Sequence, residues 1–361
     1  MYRKINIQES GDMLLLNDVQ ERKRQSNIYG RIAWLDVARA LGIYAIYLGH
    51  FDKIAEAAYQ FVFEFHVPLF FFLAGCTENY NQEISLLGNV KRNIKTVLLP
   101  AYFFAILSLI VYAFNTNAGL REILIWLQVI AKGLVRNTYL AGSLWFLTCL
   151  FVVRTIFLLA KKLRKWYWLV TAGIFMFLIA EYGISPRPIE SPRLYYNLDS
   201  ACYYMNFYIV GFLLYPYLDE WLKSTGKVVT NIKLIVSTSL LCYAGLMYFR
   251  INILTYIPIY GIIAVSVLGL LKTYLMIGAI IMLAYYLQGI DWLEKVGQDT
   301  LYLCGSEYII KIIVPSVCGI IGLAINLEGQ MQVYIYTMIL LWFGEKVIIP
   351  WEKAIITKIK G

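Results

Sequence analysis

The sequence predicts an all-α protein: a polytopic membrane helix bundle of about ten transmembrane helices with both termini cytoplasmic. Three observations lead there. Of 361 residues, 60% are hydrophobic and 15% charged, against about half and about a quarter in soluble domains. Residues 97–114, 137–153, 200–218, 251–271 and 273–290 each carry no Asp, Glu, Lys or Arg, and a spanning helix needs about 20 mostly apolar residues. Clusters of Lys and Arg recur in alternate connections between apolar runs, as the positive-inside rule requires of a multi-pass chain.

Taken in order, residues 1–30 are polar, with Arg22, Lys23 and Arg24 just ahead of the first apolar run. A cleavable signal peptide would place a short apolar region earlier, so 1–30 reads as a cytoplasmic tail. Spans are expected near 32–51, 61–78, 96–115, 142–160, 166–183, 199–218, 230–249, 266–288, 299–325 and 332–350. They make 31–351 the membrane domain and 352–361 a short cytoplasmic tail. With the N-terminus inside, Lys91, Arg92 and Lys95, then Lys161, Lys162, Arg164 and Lys165, then Lys223 and Lys227, then Lys353, Lys358 and Lys360 all face the cytoplasm.

Two segments fit this scheme less simply. Residues 251–290 are apolar for longer than one helix needs, with Lys272 the sole charge. They suit one helix plus a re-entrant piece, or two helices; eleven spans would put the Lys-rich end outside, so ten are expected. Residues 116–141, with Arg121, Lys132 and Arg136, suit an amphipathic helix at the interface or one folded back into the protein. Pro186, Pro188 and Pro192 mark an outer loop at 184–198.

The formal charge of +9 belongs to cytoplasmic loops. No basic stretch is interleaved with aromatics in the manner of a nucleic-acid binder, so the expected partner is the lipid bilayer and not nucleic acid. Cys76, Cys149, Cys202, Cys242, Cys304 and Cys318 are scattered, without a C-x-x-C pair. They read as small buried hydrophobes, and neither a disulfide framework nor a metal site is expected. Nothing in the sequence sets an oligomeric state.

The chemistry is concentrated in the first span, "RIAWLDVARALGIYAIYLGH" at 31–50, which holds Asp36, Arg39 and His50. A charge at the bilayer centre costs several kcal/mol on most scales, so it faces the bundle interior and has a task. Arg39 and His50 are eleven residues apart, almost three helical turns, hence on one face about 16 Å apart. Asp36, three residues before Arg39, is close enough to pair with it; Tyr47 lies at the edge of the stripe. The bland alternatives are an interfacial Asp36–Arg39 ion pair with a snorkelling arginine, and a histidine that merely ends the helix. In the second span, "FEFHVPLFFFLAG" at 63–75, Pro68 bends the helix beside His66. His66 then either shares a polar cavity with His50 or hydrogen-bonds a nearby carbonyl and fixes the kink. Glu307, inside a span, is a candidate functional group by the same rule, with Lys311 one turn on as its partner.

These stretches resemble the integral-membrane acyltransferase family 3. The Arg39-to-His50 spacing followed by "FHVPLFFFLAG" carries the resemblance most specifically. "KRNIKTVLLPAY" at 91–102, "GSLWFL" at 142–147 and "VGQDTLYLCGSE" at 296–307 fit it in order. The resemblance implies a ten-helix bundle that moves acyl groups, usually acetyl, from cytoplasmic acyl-coenzyme A to hydroxyls of cell-surface carbohydrates. It implies His50 as the essential histidine and Arg39 as its paired arginine. Arg92 matches the first arginine of an Arg-x-x-Arg pattern whose second member here is Lys95, which keeps the charge but loses the bidentate fork. Glu307 stands where members often carry His.

Acyl transfer to a hydroxyl needs a base, and neutral imidazole suits that role near pH 7. His50 is therefore the expected base or transient acyl carrier, with Asp36 and Arg39 orienting the face or binding the coenzyme. Lys91, Arg92 and Lys95 are expected to meet the phosphates of acetyl-coenzyme A, although topology alone would also place them there. Trp145 is expected along the acceptor path, or as a packing residue. A transporter or flippase of a lipid-linked saccharide is the competing class, with the same charges as a proton or substrate path. A polysaccharide polymerase fits less well, because the outer loop at 184–198 is short, with only Arg187 and Arg193.

Overall fold

The computed structural model describes residues 31–78, 85–138, 142–161, 165–184, 193–256 and 261–360, and among them every regular element is a helix. The expected tail 1–30, Pro186, Arg187, Pro188 and Pro192 of the outer loop, and Lys162 and Arg164 lie outside the described residues. In chain order the helices are α1 Ala33–Gly49, α2 Ala57–Phe63, α3 His66–Cys76, α4 Leu86–Asn93, α5 Leu99–Thr116, α6 Leu120–Ala131, α7 Trp145–Ala160 and α8 Trp166–Leu178. They continue as α9 Leu198–Lys223, α10 Lys227–Tyr248, α11 Ile262–Leu287, α12 Asp291–Gln298, α13 Thr300–Gly305, α14 Glu307–Ile320, α15 Gln330–Phe343 and α16 Ile349–Lys360.

Among the described residues, six stretches are long and apolar enough to cross a membrane: Ala57–Cys76, Leu86–Thr116, Trp166–Ile184, Lys227–Tyr248, Ile263–Leu287 and Gln330–Ile355. Trp145–Ala160 is apolar but shorter, α1 has 17 residues, and the ninth expected span is divided at Ser306 into α13 and α14. The long helices leave large apolar side chains outward, among them Ile106, Ile110 and Phe114 on α5, Ile263, Val265 and Val267 on α11, and Ile335, Ile339 and Trp342 on α15. Apolar surface on that scale suits hydrocarbon and not water. The protein is a multi-pass membrane protein.

The two ambiguous segments take definite form. Residues 251–290 contain one helix, α11, of 26 residues, after a short turn at Ile253–Tyr256. Residues 116–141 contain α6, whose Leu120, Leu124 and Leu127 are exposed while Ile130 is buried. Helix α16 continues through the expected domain boundary at 351. Wide helical turns at Ile94–Leu98 and Gly344–Ile348 each run straight into a helix with proline at its second position, Pro100 in α5 and Pro350 in α16. Proline cannot donate to the carbonyl four residues back, and widening the preceding turn is a recognised way to absorb that loss without breaking the helix.

The chain divides into two compact units. The one built from Ile32–Phe70 and Glu220–Ile355 is organised around α1, which packs chiefly on α12 and α11. The approach to α12 depends on Gly297: a Cβ there would lie 1.7 Å from the Asp36 carbonyl oxygen. Two lysines of this unit have close partners. Buried Lys233 donates to the carbonyls of Leu222 and Ser224 at the C-terminal end of α9, each at 2.7 Å, and Lys272 on α11 pairs with Glu64 at 2.6 Å.

The other unit holds Phe71–Asp219 and the chain ends. Here α3 and α9 touch backbone to backbone, since Cβ atoms on Gly75 and Gly211 would fall 2.0 Å from the Tyr208 oxygen and 2.1 Å from the Phe72 oxygen. Small residues allow such crossings in membranes. Buried Asn197 accepts from the Arg136 amide at 2.7 Å, and its own amide lies 3.1 Å from both the Leu134 carbonyl and the Thr148 hydroxyl. It thereby ties together two connections, one after α6 and one before α9, in which Leu134 and Tyr196 adopt left-handed backbone, φ 54° and 56°.

Candidate active site

The helical spacing of α1 brings its ionisable residues to partners at two levels. Near its start, Asp36 is buried and accepts a 2.8 Å bond from Arg39 Nη1. A buried carboxylate needs a cation or donors, and the i,i+3 spacing supplies one. This turn is the one pressed against Gly297 of α12.

At the far end of α1 the chain leaves the helix at His50. The His50 Nδ1 makes a short hydrogen bond to Glu307 Oε1. Glu307 is the first residue of α14, placed there by the break at Ser306, whose hydroxyl donates to the Tyr302 carbonyl at 2.7 Å. A helix N-terminus favours a carboxylate. Glu307 is 3% exposed, and Lys311, one turn on, reaches the same Oε1 at 2.7 Å. Lys311 Nζ also lies 3.4 Å from the Tyr47 carbonyl oxygen and over the rings of Phe51 (4.7 Å) and Tyr47 (5.4 Å). The Tyr47 hydroxyl donates to the Leu303 carbonyl at 2.8 Å, joining α1 to α13. The His50 side chain is 36% exposed. Its Nδ1 is anchored to an acceptor-only carboxylate, so the Nε2 lone pair is left for a reactant. Carboxylate, imidazole and an exposed ring nitrogen are the parts of a general base whose orientation is fixed.

The remaining sequence candidates have other surroundings. His66 is buried, bonds the Val62 carbonyl at 2.6 Å through Nδ1 and meets the edge of Phe63 at 4.9 Å. The break between α2 and α3 thus has a histidine spanning it, as the kink reading has it. Lys91, Arg92, Lys95 and Trp145 belong to the unit that contains Phe71–Asp219. Lys91 and Arg92 close α4 and Lys95 lies in the wide turn after it; both lysines are exposed and Arg92 is half-buried. Trp145 is buried, tilted against Tyr204 at 6.1 Å and covered by the Arg136 guanidinium at 4.8 Å.

Comparison with known families shows which family the chain belongs to. A family model described as an acyltransferase domain, that of acyltransferase family 3, matches residues 32–303, well over half of the chain. The chain belongs to acyltransferase family 3. Comparisons with curated proteins and with solved structures returned no match.

This membrane acyltransferase also carries buried charges that the sequence reading passed over. Glu345 is paired with Lys295 (2.5 Å) and Lys346 (3.2 Å), and Asp299 with Lys353 (2.5 Å). The Glu345 carboxylate beside Lys295 holds the ammonium's pKa above its ordinary value by hydrogen bonding and Coulomb attraction. In the other unit, Glu78 is buried and bonds the Tyr208 hydroxyl, with Arg154 Nε 3.7 Å away. The signal for all of these was the one that exposed Glu307: an ionisable residue inside or at the edge of an apolar run.

Proposed function

We propose that this acyltransferase is an O-acetyltransferase of the cell (plasma) membrane. It would move the acetyl group of acetyl-coenzyme A to a hydroxyl of a cell-surface or lipid-linked carbohydrate such as exopolysaccharide or capsule. The observation that carries this reading is the His50–Glu307 pair: a partly exposed imidazole held by a buried carboxylate, on the helix that opens the family match. His50 Nε2 takes the proton of the acceptor hydroxyl while its oxygen adds to the thioester carbonyl. Collapse breaks the C–S bond, and the departing thiolate receives the proton from His50. Glu307 fixes the ring and faces the positive charge that develops on it. Exposed Lys91 and Lys95 with half-buried Arg92 suit coenzyme phosphates, and paired Asp36 and Arg39 suit orienting their face of α1 or binding the coenzyme.

The test is purified protein in detergent with radiolabelled acetyl-coenzyme A and a pool of mono- and oligosaccharides. Label should pass to the sugars as an ester released by hydroxylamine, and wild type but not His50→Ala should release coenzyme A. Coenzyme release without labelled sugar would remove the carbohydrate acceptor from the proposal. No release with any acyl donor would return the transport reading to first place.

A further inference from the structure

The centre at His50 contains one group that the reaction above leaves unused. Lys311 is 21% exposed at its side chain. Of its three N–H donors, one meets Glu307 Oε1 at 2.7 Å and a second faces the Tyr47 carbonyl at 3.4 Å. The third meets no acceptor among the described residues. The rings of Phe51 and Tyr47 flank the ammonium and hold it where water cannot fully solvate it, so its charge acts at greater strength than it would in water.

Both His50 Nδ1 and Lys311 Nζ bond the same carboxylate oxygen. The ammonium therefore lies within two hydrogen-bond lengths, roughly 5.5 Å, of the imidazole. Acyl transfer at His50 creates two charges together, positive on the imidazole and negative on the former carbonyl oxygen. The centre offers one fixed charge of each sign, Glu307 and Lys311, with Glu307 already committed to the ring. We propose that Lys311 is a catalytic residue of this centre: its free N–H and its charge stabilise the oxyanion formed when the acceptor oxygen adds to the thioester carbonyl. The proton goes to His50 Nε2, the electron pair of the C=O bond rests on the oxygen facing Lys311, and it returns as the C–S bond breaks. The inference rests on the acyl-transfer reading and deepens it.

The competing account is that Lys311 only neutralises buried Glu307. Coenzyme A release by wild type, Lys311→Met, Lys311→Arg, Glu307→Gln and Glu307→Gln/Lys311→Met, each checked by thermal melting, separates the two. An oxyanion donor is worth about 10²–10³ in kcat. Lys311→Met should therefore lose on that order in kcat with KM for acetyl-coenzyme A changed by less than about threefold. Lys311→Arg should recover part of the rate, and the double variant should fall well below Glu307→Gln alone. If the double variant matches Glu307→Gln, or Lys311→Met keeps wild-type kcat, the proposal is overturned. If Lys311→Met does not fold, the Glu307→Gln background, which removes the unpaired carboxylate, still supports the comparison. An inert wild type would count against acyl transfer itself and not against the role of Lys311.

Discussion

At the scale of single residues, the behaviour of the centre follows from what each ring nitrogen and carboxylate oxygen touches. Glu307→Gln keeps the shape but replaces a charge-assisted acceptor on His50 Nδ1 with a neutral amide, while Lys311 loses its counter-charge. We expect kcat to fall by about 10²-fold, in the range of a misoriented or uncompensated general base, with the fold intact by thermal melting. Glu307→Asp, a methylene shorter, should fall between wild type and Gln. His66→Gln, by contrast, can still donate toward the Val62 carbonyl, and should retain activity within about threefold while lowering thermal stability; a collapse of kcat without loss of stability would move His66 into the chemistry. Much of this centre was legible in the chain. His50, Asp36 and Arg39 stood out as charges in an apolar span, and Lys311 as the neighbour of Glu307 one turn away. What spacing did not give was the division of labour along α1. Arg39 and His50 share a face, yet Arg39 bonds Asp36 and His50 bonds Glu307, a partner 257 residues away. Only the packing of α1 among α12, α13 and α14 makes that contact.

At the scale of elements, a close helix contact braces the unit that carries His50, and one buried amide braces the other unit. Gly297→Ala forces a methyl group into the Asp36 carbonyl, so α12 must move away from the turn that carries Asp36 and Arg39. The expected cost is roughly 1–3 kcal/mol of stability, typical of overpacking, with loss of activity in the fraction that remains folded. Differential scanning of wild type and variant in detergent checks this. Asn197→Ala strips the acceptor of the Arg136 amide and the donors to the Leu134 carbonyl and Thr148, from two connections whose left-handed Leu134 and Tyr196 need external support. A loss of roughly 1–3 kcal/mol is expected from buried groups left unsatisfied. The apolar runs announced most helices, because length and hydrophobicity carry that information. The breaks were less visible. Pro68 pointed to the one between α2 and α3, but the division at Ser306 that puts Glu307 at a helix start has no proline or glycine cap to announce it: Gly305 precedes it within α13.

At the scale of the whole molecule, six stretches among the described residues satisfy the length and composition of a membrane crossing, while α1 and the broken α13–α14 segment carry His50, Glu307 and Lys311 on or beside shorter helices. The charge pattern of the sequence predicts ten crossings with both ends inside, which would place the Lys clusters in the cytoplasm. Single cysteines at Lys165, Lys223 and Lys353, in a background freed of the six native ones, should react with a membrane-impermeant maleimide only after the cells are opened; labelling of any one in intact cells would invert that segment. The central claim is that His50, held by Glu307, performs acyl transfer, and it is tested most directly by one comparison. Wild type, His50→Ala and His50→Gln, matched for folding by thermal melting, are assayed for coenzyme A release from acetyl-coenzyme A with acceptor present. The account predicts steady release by wild type and background release by both variants. Release by folded His50→Ala at anything near the wild-type rate would contradict it.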